Sequence, residues 1–187
     1  MANATETEIK LPVENAAALL DKLHAAGYQV SQSREFEANT LYDTDDRRLF
    51  HSGMLLRLRE TGGRSILTWK GPVIAGPHKS RPERETTVGS AETFGYILDQ
   101  LGFEPVFRYE KFRTELKGAN PEATVTFDET PIGIFMELEG PAAWIDETAR
   151  TLGFKYADYV TESYGTLYRR WCERKGVEPS HMVFSST

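Results

Sequence analysis

Several large classes of protein announce themselves by features that this chain lacks. Of its 187 residues only Cys172 is cysteine, so no internal disulfide is available and the chain reads as one for a reducing, cytoplasmic setting. No apolar run approaches the ~20 residues that a membrane-spanning helix needs. The opening MANATETEIK lacks the basic-then-apolar pattern of a secretion signal. Formal charge sums to −6, which disfavours nucleic acid as a general partner and confines any anion binding to local clusters of Lys and Arg. The four histidines, His24, His51, His78 and His181, have no metal-ligand spacing and read as surface residues. No Gly, Pro or Ser-rich linker divides the chain, so a single domain over residues 1–176 with a short tail, 177–187, is the economical reading.

What is present is a mixture of helix and strand signals. PVENAAALLDKLHAAGY reads as a helix opened by Pro12, with Leu19, Leu20 and Leu23 on one stripe and a stop at Gly27. SAETFGYILDQLGF reads as a second helix, capped by Ser90 and stopped at Gly102, and AWIDETARTLGF as a third, stopped at Gly153. Between them lie short strand-like runs, NTLYDTD, MLLRLRE, SILTWKG, ERETTV, EKFRTELKG, ATVTFDE and IFMELEG, punctuated by turn signals such as Gly62-Gly63. GPVIAGPHKSRP reads as a loop. The class is therefore α+β with a mostly antiparallel sheet.

The strands share a period of two. TETEIKL sets Glu6, Glu8 and Lys10 against Thr7, Ile9 and Leu11. Elsewhere Arg57 and Arg59 oppose Leu56 and Leu58, and Thr68 and Lys70 oppose Leu67 and Trp69. Arg81, Glu83 and Glu85 share a side, as do Lys111, Arg113 and Glu115. Thr126 and Asp128 oppose Val125 and Phe127, and Glu137 and Glu139 oppose Met136 and Leu138. A wet outer face would account for any one of these strands. Taken together they describe a sheet curved into a barrel, apolar faces outward under the helices and charged faces across a lumen. Two features count against the reverse arrangement. The helices need an apolar sheet face to cover, and the charged faces carry Arg-x-Arg, Lys-x-Arg and Glu-x-Glu pairs instead of an ordinary Ser, Thr and Gln mixture.

Arg and Lys are the residues for phosphate oxygens, and carboxylates without His or Cys suit the hard cations Mg²⁺ or Mn²⁺. A metal-carrying polyphosphate wants both sets together. Either set buried alone would lose its hydration without compensation.

At this point the chain resembles a known family. Glu6-x-Glu8-x-Lys10 is similar to the N-terminal ExExK signature of the CYTH domain, or triphosphate tunnel metalloenzymes, which include class IV adenylate cyclases, thiamine triphosphatases and inorganic tripolyphosphatases. The likeness runs over roughly residues 4 to 170, through LRLR, TWKGP, SRPERE, EKFR, FDETPIGIFMELE and VTESYGTLY. It implies an eight-stranded antiparallel tunnel flanked by helices. Carried over by position, Glu6, Glu8, Asp128, Glu137 and Glu139 would serve as metal ligands. Lys10, Arg57, Arg59, Lys70, Arg81, Lys111 and Arg113 would clamp the triphosphate, and Glu83 and Glu85 are less certain members of the site. The resemblance also implies a plug helix or an added Lys near YGTLYRRWCERKG, where Arg169, Arg170 and Lys175 stand.

A hydrolase would direct a metal-activated water, aligned by Glu8 or Glu139 and assisted by Lys10, at the terminal phosphorus of tripolyphosphate, ATP or thiamine triphosphate. A class IV adenylate cyclase would use the same tunnel to make cyclic AMP and pyrophosphate, and a non-catalytic polyphosphate-binding protein would keep the cations without the metal. Hydrolysis is the leading reading, because no adenine-specific element is visible and every alignable carboxylate is filled. A homodimer stays open as an alternative.

Overall fold

A computed structural model describes residues 5–185; residues 1–4 and 186–187, on which the leader and tail readings partly rest, lie outside the described residues. The alternating TETEIKL segment forms β1 (Thr5–Val13). Pro12 therefore ends a strand, and the first helix starts later, as α1 (Ala16–Ala25), with the Asn15 side chain accepting the Ala18 amide proton. An Asx cap supplies what the first turn needs, and a strand edge tolerates proline, so the cap overrode the proline signal.

The remaining elements are β2 (Gln29–Asp43), α2 (Arg48–His51), β3 (Leu55–Thr61), β4 (Arg64–Lys70), β5 (Lys79–Val88), α3 (Ala91–Gln100), β6 (Glu104–Lys117), β7 (Thr124–Thr130), β8 (Gly133–Glu139), α4 (Ala142–Leu152) and α5 (Tyr164–Lys175). The strands close into one antiparallel barrel in the order β1-β5-β4-β3-β2-β6-β7-β8. In this order β1 stands diametrically across from β2. Tight turns hold the register: Gly62 and Gly63 both take positive φ, 51° and 72°, as a two-residue hairpin between β3 and β4 requires.

Alternation sorts the side chains as the sequence implies. Ile9, Leu11, Leu116, Val125, Phe127, Met136 and Leu138 point outward and pack with Leu19 and Leu23 of α1 and Ile145, Ala149 and Leu152 of α4 in one buried cluster. Ser90 caps α3, accepting from the Thr93 amide, and Gly153 ends α4 in the left-handed region. Inward positions carry the charges. Lys10, Arg57, Lys70, Lys79, Arg81, Lys111, Arg113, Glu8, Glu37, Asp128 and Glu137 are all buried.

Two elements close one end of the barrel. The inward-phase rings of Tyr109 and Phe135 pack with Tyr164, Tyr168 and Cys172 of α5. The segment after Gly176 returns beside β6, where the Met182 amide donates to the Arg108 carbonyl (3.0 Å) and the Glu110 amide donates to the Met182 carbonyl (2.9 Å). This stretch of β6 lies beyond its pairing with β7, which covers Phe112 to Leu116. The tail thus occupies an open strand edge. His78 is buried rather than on the surface, hydrogen-bonded to Asp146 at 2.8 Å.

Met182 is completely buried. Met182→Ala is expected to lower the unfolding free energy by about 2–5 kcal/mol in urea denaturation. A change under about 0.5 kcal/mol, typical of a surface substitution, would show the tail contributes nothing.

Candidate active site: a tunnel with opposed acidic and basic walls

A cavity of about 480 Å³ runs inside the barrel. On one side β1, β5 and β8 present Glu6, Glu8, Glu83, Glu85, Glu137 and Glu139, interleaved with Lys10, Lys79 and Arg81. On the opposite side β3 and β6 present Arg57, Arg59, Lys111 and Arg113. The two walls face each other because β1 and β2 are opposite in the strand order.

Burying so many charges is possible because they alternate in sign. A continuous chain of ion pairs runs round the inner wall, from β5 through β1, β8, β7, β6 and β2 to β3. Lys79 meets Glu8 (2.5 Å), Glu8 meets Lys10 (2.9 Å), and Lys10 meets Glu137 (3.1 Å). Glu137 then meets Arg113 (2.5 Å), Arg113 meets Asp128 (2.6 Å), and Asp128 meets Lys111 (2.7 Å). Lys111 reaches Glu37 at 3.5 Å, and Glu37 holds Arg59 at 3.0 Å. A shorter branch ties Lys70 to Glu6 (2.5 Å) and Glu83 (3.1 Å), with Arg81 beyond Glu6 at 3.7 Å.

Proton affinities follow from this wiring. Burial alone would raise Glu8, but Lys10, Lys79 and Lys70 hold it well below the usual carboxylate range. Against the same opposition from burial, Lys111, Arg113 and Arg59 bring Glu37 down to about 2. Lys79 falls to about 8, first through burial and then through repulsion from Lys10, with Glu8 opposing. Both partners of the Lys79–Glu8 pair thus sit low, because one carboxylate is shared among several ammonium groups. Arg59 is held below its ordinary value by burial and by neighbouring Arg57.

Glu139 differs from the other carboxylates of β1, β5 and β8 that line the cavity. It makes no ion pair or hydrogen bond with any described residue. Crowding by the barrel wall, and then the charges of Glu6 and Glu8, push it up to about 7, although solvent still reaches it through the tunnel mouth. Glu6 is also raised, by burial first and then by Glu8. Glu8 and Glu139 are direct cross-strand partners. The Glu6, Glu8 and Glu139 corner therefore holds more negative charge than its surroundings balance.

The residues expected from the sequence are mostly brought together here. Glu83 and Glu85 both line the cavity, Glu83 on Lys70 and Glu85 with its carboxylate 3.0 Å from the Thr68 hydroxyl. Asp128 is placed differently from the rest. It is wholly buried and accepts from Arg113 Nε (2.7 Å) and Nη2 (2.6 Å), Lys111 Nζ (2.7 Å) and the Tyr164 hydroxyl (2.8 Å). With its oxygens so occupied, it fixes the positions of Lys111 and Arg113. Arg169, Arg170 and Lys175 of α5 stay exposed outside the lumen, and Arg170 pairs with Glu162.

Three inward residues were not anticipated: Glu37, Lys79 and Tyr109. Their signal was the same alternation. Glu35 and Glu37 form another Glu-x-Glu pair ahead of Asn39, and Lys79 precedes Arg81 by two. The strands β2, β5 and β6 begin earlier than the runs NTLYDTD, ERETTV and EKFRTELKG, so Glu37, Lys79 and Tyr109 fall just ahead of those runs.

A family model for the CYTH domain matches residues 4–164. The chain belongs to the CYTH domain family. A Methanocaldococcus jannaschii protein, provisionally named as an adenylate cyclase, is 29% identical over 147 residues, covering 79% of this chain and 83% of that protein. The structure of a provisionally assigned adenylate cyclase from Vibrio parahaemolyticus superposes with a TM-score of 0.77 at 23% identity, covering 89% of this chain and 98% of its own. A provisionally assigned adenylyl cyclase of Hippeastrum, described as revealing a dominant triphosphatase activity, gives 0.62 at 14% identity over 94% of this chain and 97% of its own. These two structural likenesses concern the fold.

In this CYTH tunnel Glu139 has a folded pKa near 7 against an ordinary 4.5. Its ionisation therefore costs stability, with no cost below about pH 4.5 and the full cost above about pH 7. Glu139→Gln is expected to raise the melting temperature at pH 8 and to leave it unchanged at pH 4. Equal shifts at both pH values would contradict the charge imbalance.

Proposed function

We propose that this chain hydrolyses a triphosphate in a divalent-metal-dependent reaction inside the tunnel. The observation that carries the reading is the facing of an under-compensated carboxylate corner, Glu6, Glu8 and Glu139, by an arginine and lysine wall, within one cavity of about 480 Å³. That volume lies in the range of small-molecule sites. A triphosphate with its metal is complementary to both walls.

The carboxylate corner fits a hard cation such as Mg²⁺ or Mn²⁺ by donor chemistry, since three oxygen donors repel one another there. Among the described residues no three His, Cys, Asp or Glu side chains already stand placed to hold an ion. The reason is visible: Glu6 is turned onto Lys70, and Glu8 onto Lys10 and Lys79. Loading would exchange partners, carboxylates passing from lysine to metal while the freed lysines pass to phosphate. A bound cation would supply charge neutralisation and activation of water. Arg57, Arg59, Lys111 and Arg113 would hold the phosphate oxygens, and Lys10, between Glu8 and Glu137, would steady charge that develops on them. Glu139, the carboxylate of that corner without a lysine partner, stands where it could accept the proton of the attacking water.

The relative in Methanocaldococcus jannaschii carries a cyclase name, which favours a second reading, cyclisation of ATP with release of pyrophosphate. The activity described for the Hippeastrum protein supports the first. The assay offers tripolyphosphate, ATP and thiamine triphosphate with Mg²⁺ or Mn²⁺, and follows phosphate and cyclic AMP in parallel. Phosphate release that falls about 100-fold or more in the Glu6→Gln/Glu8→Gln variant is expected. Cyclic AMP as the main product would establish the cyclase reading. Absence of turnover on all three substrates would reject both.

A further inference from the structure

Two buried tyrosines line the tunnel with their rings 6.0 Å apart, and they differ in what their hydroxyls do. Tyr164 donates to Asp128 at 2.8 Å. Tyr109 only accepts, from Arg57 Nη1 at 3.4 Å, near the limit for a hydrogen bond. No oxygen of the described residues takes the Tyr109 proton. A buried hydroxyl without a good partner is unfavourable. Packing does not explain its presence, because the contacts of its ring with Phe107 and Tyr164 would be equally served by phenylalanine.

The surroundings indicate what the hydroxyl awaits. Burial would raise the Tyr109 phenol, yet Arg57, Arg59 and Lys111 pull it below its ordinary value. The potential at this point is positive, so the group drawn there is an anionic oxygen. A further lysine would add to a repulsion that already holds Arg59 down. A neutral donor adds a hydrogen bond without that penalty. We propose that the Tyr109 hydroxyl is an uncharged donor to a phosphoryl oxygen of the triphosphate, completing the basic wall. The inference rests on the triphosphate reading of the tunnel and adds a subsite to it.

The test is calorimetric titration of the full chain with tripolyphosphate in EDTA across a series of salt concentrations, beside ligand-free melting curves. Tyr109→Phe is expected to weaken binding about 10-fold or more, the range for a hydrogen bond to a charged group. The salt dependence should be unchanged, since no charge is removed, and the ligand-free melting temperature should hold or rise. Arg57→Gln should flatten the salt dependence, and Tyr164→Phe should lower the melting temperature by stripping Asp128 of a donor. Affinity of Tyr109→Phe within about twofold of wild type, or a loss accompanied by a melting drop like that of Tyr164→Phe, would overturn the proposal. Failure of the wild-type chain to bind either tripolyphosphate in EDTA or a non-hydrolysable triphosphate analogue with Mg²⁺ would instead overturn the triphosphate reading itself, and the subsite with it.

Discussion

Everything inside this barrel depends on one electrostatic constraint: a charge removed from water needs an opposite charge within reach. Asp128 shows the limit of the rule. It is wholly buried, and four donor atoms from one strand and one helix converge on it. From Asp128 the alternation runs outward both ways, to Glu137 and Lys10 on one side and to Lys111 and Glu37 on the other. Removing one member of such a buried chain would leave its neighbour uncompensated, which is costlier than the net worth of the pair. The tunnel is thus kept open by charges that hold one another apart from the centre, where an apolar lumen would fill with side chains.

The rest of the fold follows from turning the charges inward. The apolar residues of the same strands are forced outside, and α1 and α4 bury them. Near one end the inward positions become aromatic, at Tyr109 and Phe135, and α5 and the tail cover them. The result is a tunnel whose chemistry changes along its length and around its wall. Carboxylates in excess occupy one side, at Glu6, Glu8 and Glu139, and cations occupy the other, at Arg57 and Arg59. The places where compensation is incomplete are the places where a ligand has something to add.

The barrel and most of its lining were legible in the sequence because alternation is a strict code: most inward charges sit two residues from another, while Lys70 and Asp128 alternate with threonine. The same code contained Glu37 and Lys79. They were passed over because Glu37 lies just ahead of the run NTLYDTD and Lys79 lies inside the stretch GPVIAGPHKSRP, read as a loop. Pro12 misled for a related reason, since proline suits both a helix start and a strand end, and only the Asn15 cap distinguishes them. The burial of His78 beside Asp146 joins residues 68 apart, and no local pattern encodes that. Nor could spacing reveal that Asp128 is spent on Arg113 and Lys111. Alternation specifies a face, and it leaves open which partner on that face a side chain chooses.

The central claim is that the two walls hold a metal and a triphosphate together. The most direct measurement is the anomalous diffraction of a crystal soaked with Mn²⁺ and a non-hydrolysable triphosphate analogue. A manganese peak beside the carboxylates of the Glu6, Glu8 and Glu139 corner is expected, with the phosphates lying along Arg57, Arg59, Lys111 and Arg113. Manganese and analogue bound apart, or outside the lumen, would contradict it.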